Sequence, residues 1–267
     1  MMQRFPPRWR ADMSHQGAVV IIPDRWGLRV LRPALAGLGA LLAVAAHGQS
    51  PIAFDKPLRV AEVPPTSSDD GRTLRCSYYP DVMVREVTDG PSATPPSIVP
   101  GPNPPCDLTP PAGASPIALE DMMLDGRIGA YLLFSAMDPH GATDFGVVNA
   151  ATGATLFKDA AYGDPTYQEA TLDNDALRLR YKRGITAGCS LMQDPASCWA
   201  SLVEQGLIPK DMAKQPPSAQ LCDAAYKDMQ AAPDNPSIVT YDVEILISPD
   251  GTNKPLSRGA VACESLP

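Results

Sequence analysis

Three features predict an α+β domain, mainly an antiparallel β-meander with two short disulfide-tied helices and a Pro-rich loop. Apolar residues alternate with polar ones in several short runs bounded by turn residues. Helical spacing is confined to two brief stretches between residues 194 and 230. Six cysteines, an even set, all fall after residue 75.

The N-terminal part is read separately. Arg25, Arg29 and Arg32 precede residues 33–46, a run of 14 residues without charge. A membrane-spanning helix needs roughly 20 apolar residues. A basic flank, a short apolar core and small residues match a secretory signal peptide. Residues 1–48 are therefore expected to be a signal peptide cleaved after Ala46-His47-Gly48, with cleavage before Ala46 as the alternative. Met13 offers a second start. No cysteine closely follows the apolar run and no Arg-Arg pair precedes it, so neither lipid anchoring nor twin-arginine export is supported. The expected location is periplasmic or secreted, with no membrane insertion after cleavage.

Residues 49–267 form the expected single exported domain. Residues 51–75 read as an extended lead-in. Residues 76–79 and 82–87 read as a strand pair interrupted by Pro80. Ten of the 26 positions in residues 91–116 are proline. Proline lacks the backbone donor and fixes φ, so this stretch is expected to be an extended loop rather than helix or interior strand. Residues 129–136 are apolar on both faces, as in a central strand. Residues 144–149 and 154–159 flank a glycine-bearing loop and read as a hairpin. Leu177, Leu179 and Tyr181 alternate with Arg178, Arg180 and Lys182, giving a strand with one wet face. These four segments predict an antiparallel meander.

Two helices follow. Asp194 can cap the first, Pro195 suits its first position and Gly206 can end it. The second is expected from Ser218 to about Gln230, with Leu221, Ala225 and Met229 as its apolar stripe and Cys222 and Tyr226 flanking it. The strongest strand runs through Val239, Tyr241, Val243, Ile245 and Ile247. Its polar face carries Asp242 and Glu244 where the earlier strand carries bases, so the two are expected to be neighbours.

Residues 144–160 resemble the strand–turn–strand core of a β-propeller blade, in which an Asp/Asn-x-x-Thr-Gly turn recurs. A propeller needs repeated blades, and no second copy is present, so the resemblance implies a blade-like meander alone. The chain as a whole resembles uncharacterised exported bacterial proteins, a likeness that implies no activity.

In an oxidising compartment six cysteines suggest three disulfides among 15 pairings. Cys76–Cys106 would clip the proline-rich loop to the strand it leaves. Cys189–Cys198 would close a small loop at the first helix, and Cys222–Cys263 would tie the second to the C-terminal segment, with Cys198–Cys222 as an alternative. Metal binding is disfavoured because no C-x-x-C occurs and His140 is the only histidine after His47.

Composition narrows function further. The leader holds six of the 22 basic and two of the 30 acidic residues, leaving 16 and 28 in residues 49–267, a net charge of −12. An acidic surface repels phosphate backbones and argues against nucleic-acid binding. It favours a cationic protein partner, although it also serves solubility alone. A serine triad would need His140, which reads as a turn residue, and no G-x-S-x-G occurs. Glu120, Asp121 and Asp125, with Asp173 and Asp175, are the remaining acid–base candidates, although carboxylates close in sequence usually mark solvated turns. Asp173-Asn174-Asp175 lacks the glycine and distal glutamate of a calcium loop and reads as a turn. Arg178, Arg180 and Lys182 form either an anion strip or a neutralised solvent face, and Trp199 either a sugar platform or core. No catalytic, cofactor-binding or metal residues are assigned, and no cofactor is expected. The leading expectation is a non-enzymatic binding or structural domain. The alternatives are a carboxylate-dependent hydrolase of envelope or extracellular polymer, or an inhibitor of a cationic hydrolase.

Overall fold

The computed structural model describes residues 52–64, 72–89, 92–136, 141–214 and 216–266. The expected signal peptide and His140 lie outside the described residues. The first five strands are β1 (Arg59–Val63), β2 (Thr73–Tyr78), β3 (Val82–Asp89), β4 (Ser92–Pro100) and β5 (Ser115–Pro116), paired in that order as an antiparallel sheet. Pro80 sits in the β2–β3 turn, where the Tyr79 amide donates to the Val82 carbonyl at 2.8 Å.

Two expectations for this region need correction. The lead-in contains β1, and the proline-rich stretch contains β4 and β5 rather than loop alone. The prolines of β4 stand where a missing donor is tolerated. Pro95 and Pro96 fall at a register shift, opposite Glu86 alone, and Pro100 ends the strand. Residues 101–114, which have no helix or strand, remain a loop. That loop covers one face of the sheet, over Leu74, Tyr78, Met83, Val87 and Val99. Cys76–Cys106 crosslinks it, the Arg85 guanidinium donates to the carbonyls of Asp107 and Leu108, and the Tyr78 hydroxyl donates to Pro104 O at 3.1 Å.

The second sheet comprises β6 (Met122–Ile128), β7 (Tyr131–Ala136), β8 (Ala142–Asn149), β9 (Thr155–Tyr162), β10 (Glu169–Asp173), β11 (Ala176–Thr186), β12 (Ser237–Ile247), β13 (Asn253–Arg258) and β14 (Ala262–Ser265). Its order is β13-β12-β11-β9-β8-β7-β6, with β10 also on β11 and β14 also on β12. The β8–β9 turn is built by its sequence. Asn149 Oδ1 accepts from the amides of Ala151 and Thr152, and Gly153 takes φ +73°. β11 and β12 are neighbours over ten residue pairs, with Arg180 opposite Glu244 and Lys182 opposite Asp242.

The sheet curls until the β6–β7 turn meets the β10–β11 turn. The Tyr131 hydroxyl shares its one proton between the carbonyls of Asp175 and Ile247, at 2.8 and 2.9 Å, and Leu172 packs over Gly129. The concave face holds the main core, where Phe145 meets Tyr181 at 4.8 Å and Tyr167 at 5.3 Å. The other face, through Leu132, Phe134 and Val148, packs on Tyr79, Val84 and Ile98 of the first sheet.

Two short helices, α1 (Pro195–Glu204) and α2 (Asp223–Asp228), join β11 to β12. Asp194 caps α1 by accepting from the Ser197 amide at 3.2 Å, and Gly206 follows at φ +73°. Cys198, Trp199 and Leu202 face the core. The second helix corrects its expectation twice. It is shorter, with a 3-10 turn at Ala219–Leu221 before it, and its expected stripe faces outward. Leu221 and Met229 are 39% and 49% exposed, whereas Cys222 and Tyr226 are 0% and 3%. The crosslink from Cys222 to Cys263 on β14, and the bond from the Tyr226 hydroxyl to Asn235 O at 2.6 Å, set which side turns inward. The third crosslink is Cys189–Cys198. All three pairs match those preferred from sequence. The architecture is antiparallel β with two short helices, so the α+β class describes it only loosely.

Candidate functional site

A cleft of about 810 Å³ opens along β8, β9 and the end of β11, beside residues 118–122 and Leu207. Its shape follows from two glycines. Leu119 is fully buried over Gly146, where an added Cβ would lie 2.6 Å from its side chain. Ile117 and Leu119 anchor this segment inward, so the alternating Ala118 and Glu120 are exposed. Gly184 lets β11 approach Ala142 and Tyr162, which an added Cβ would meet at 2.7 and 3.0 Å. β9 and β11 share one register pair, Arg183 opposite Ala161, so side chains do much of the work of joining them.

Those side chains form a polar chain. Asp159 accepts from the Tyr181 hydroxyl at 2.5 Å and from Arg183 Nε at 2.8 Å, and Arg183 donates onward to the Tyr241 hydroxyl at 2.7 Å. Burial pushes both phenols above the ordinary tyrosine range. Asp159 is therefore committed to the fold. The rim differs. Glu120, Asp144 and Lys158 are exposed and have no ion-pair partner among the described residues.

The residues singled out from sequence are dispersed. Of the three carboxylates in residues 120–125, Glu120 alone lines the cleft. Asp121 takes φ +56° before β6, and Asp125 lies where β6 faces the first sheet. Asp173 and Asp175 flank Asn174, at φ +54°, in the β10–β11 turn. Two of the three bases of the strip are paired: Arg178 Nε lies 2.8 Å from Glu244 and Arg180 3.8 Å from Glu169, whereas the Lys182 ammonium lies 6.0 Å from the Tyr162 ring and has no ion pair among the described residues. Trp199 is core, its indole donating to Ala213 O at 3.1 Å. Asp144, Lys158, Asp159 and Arg183 were not foreseen. The available signal was charge on β8, β9 and β11 at positions that otherwise alternate with apolar ones.

A smaller hollow of about 400 Å³ adjoins Asp55, Tyr79 and Arg127. Of its two cations, Arg127 is already bound by the Asp81 carboxylate and by the Gly129 carbonyl at 2.6 Å, and Lys56 is exposed. Among the described residues no group of three or more His, Cys, Asp or Glu could hold a metal ion, and no helix is long and apolar enough to cross a membrane. No family model, curated protein or solved structure matches this chain.

Proposed function

We propose that this chain is a periplasmic or secreted, non-enzymatic binding domain whose cleft receives a cationic side chain of a protein partner. The observation that carries this reading is the pair of exposed carboxylates, Glu120 and Asp144, which have no ion-pair partner among the described residues and outnumber the one exposed base, Lys158, on the rim of a cleft of about 810 Å³. The net charge of −12 on residues 49–267 favours encounter with basic proteins. The three disulfides are consistent with an oxidising compartment.

The hydrolase alternative would draw on the carboxylates that line the cleft, Glu120, Asp144 and Asp159, of which Asp159 is held by Tyr181 and Arg183. The carboxyls whose proton affinity the fold raises, Glu86 and Asp125, lie away from the cleft. General-acid chemistry therefore draws no support there.

Calorimetric titration with tetralysine and with a basic hydrolase such as lysozyme tests the reading. Binding is expected to weaken steeply with salt and to fall on the order of tenfold in the Glu120→Gln, Asp144→Asn double variant. No binding, or binding indifferent to both salt and the double variant, overturns it. Turnover of a polymer substrate that disappears in the same variant would establish the hydrolase instead.

A further inference from the structure

Where the first sheet meets β6, one carboxyl is placed unusually. Glu86 stands directly opposite Arg75 in the β2–β3 register, yet forms no ion pair with it. Its Oε1 instead accepts from the amide of Leu124 on β6, at 2.7 Å. The residue is only 5% exposed, and its Oε2 is buried with no hydrogen-bond partner. The next residue on β6 is Asp125, the extra residue at a register shift between Leu124 and Gly126. A bulge re-aims the side chain it carries. Asp125 accepts from the Ser135 hydroxyl at 2.7 Å and the Tyr167 hydroxyl at 2.9 Å while keeping one side open to solvent. β6 is an edge strand of the second sheet, so the Leu124 amide has no strand partner on that side.

We propose that Glu86 is a proton-operated latch between the two sheets: the joint at Leu124 is tight while its carboxyl retains a proton and loosens once it is ionised. With the proton on Glu86 Oε2, Oε1 serves as the carbonyl acceptor for Leu124, and the cost is one unpaired buried hydroxyl. Without it, a charge is buried with one of its oxygens unpaired, which is far less favourable.

The charged and titratable groups facing Glu86 are Arg75 on β2, Tyr79 in the following turn and Asp125 on β6. Burial, the largest influence, raises the proton affinity of Glu86, and Asp125 adds to it; the Leu124 amide and Arg75 pull the other way without prevailing. Burial likewise raises Asp125 against the bonds from Ser135 and Tyr167. The sign follows. A carboxyl raised on folding stabilises fully below the ordinary carboxyl range, and its contribution is lost as pH rises through the folded values. The latch is closed in mild acid and loosened toward neutrality and above.

Amide hydrogen exchange of Leu124, followed by NMR from pH 4 to 8 and corrected for the intrinsic chemical rate, tests this. In the wild type, protection of Leu124 is expected to fall on the order of tenfold for each unit by which the folded value is raised, relative to Leu132 and Val147. Glu86→Gln should flatten that dependence. A wild-type protection that does not change with pH, or a Glu86→Gln protein with the wild-type slope, overturns the latch. If Glu86→Gln does not fold, carbon-13 titration of the wild-type side chains decides: a Glu86 midpoint above the ordinary glutamate range supports the proposal, and one at or below it refutes it.

Discussion

The outer face of the first sheet lies under residues 101–114, whereas the concave face of the second lies partly under α1 and α2. Both covers carry disulfides, but they are attached differently. The loop contributes only partly buried apolar residues, Cys106, Leu108 and Ala114. Its hold comes from one crosslink and from carbonyls of Pro104, Asp107 and Leu108 that accept from Tyr78 and Arg85. The helices contribute fully buried side chains, Cys198, Trp199, Leu202, Cys222 and Tyr226. The loop has few backbone donors and buries little of its apolar surface, with Pro102, Pro105 and Pro110 exposed, so it depends on fastening from the sheet beneath. A helix brings its own adhesive face.

The largest effect that would sharpen this contrast is at α1. Trp199→Ala is expected to cost about 3–5 kcal/mol, because it removes a buried indole and orphans the Ala213 carbonyl. Denaturant unfolding with the disulfides intact measures it, and a loss under about 1 kcal/mol would mean that the helices, too, depend chiefly on their crosslinks. Next comes the joint Cys76→Ser, Cys106→Ser variant, expected to lose about 2–4 kcal/mol. Its signature is faster proteolytic cleavage within 101–114 while tyrosine near-ultraviolet dichroism is retained. Unchanged protease resistance would show that the loop adheres without its covalent tie. The smallest is Arg85→Met, at about 1.5–3 kcal/mol for two charge-assisted bonds to carbonyls. The same variant on the Cys76→Ser, Cys106→Ser background should cost more than the two separately, since both fasten one strap. Strict additivity would contradict a shared role.

Sequence carried the parts of this fold governed by local periodicity. β7 follows from a run that is apolar on both faces, β8, β9, β11 and β12 follow from alternation and turn chemistry, and α1 follows from Asp194, Pro195 and Gly206. The β11–β12 pairing was legible because Arg180 and Lys182 faced Glu244 and Asp242 on opposed wet faces. What failed depended on distant partners. β4 forms despite Pro95 and Pro96 because both fall opposite a single residue of β3, which no local rule reveals. The buried side of α2 was misassigned because Leu221, Ala225 and Met229 form the better apolar stripe, while the bond to Cys263 turns Cys222 inward. The cleft was least legible. Its shape depends on Gly146 and Gly184 admitting neighbours far along the chain, and its acids arrive from the 118–122 segment, β8 and β9.

β13 has a consequence of another kind. All six of its residues are exposed, and its pairing with β12 shifts register where Ile245 meets Pro255. Lys254 and Arg258 flank that point. A strand at the rim of a sheet can template a second molecule through its unpaired amides and carbonyls, and here the row is interrupted by a residue without an amide and guarded by Lys254, while Arg258 is paired with Asp211 at 2.8 Å. Crowded copies meeting at this rim would find no continuous row of donors to zip against, so β13 should disfavour fibre growth from this side of the sheet even at high concentration.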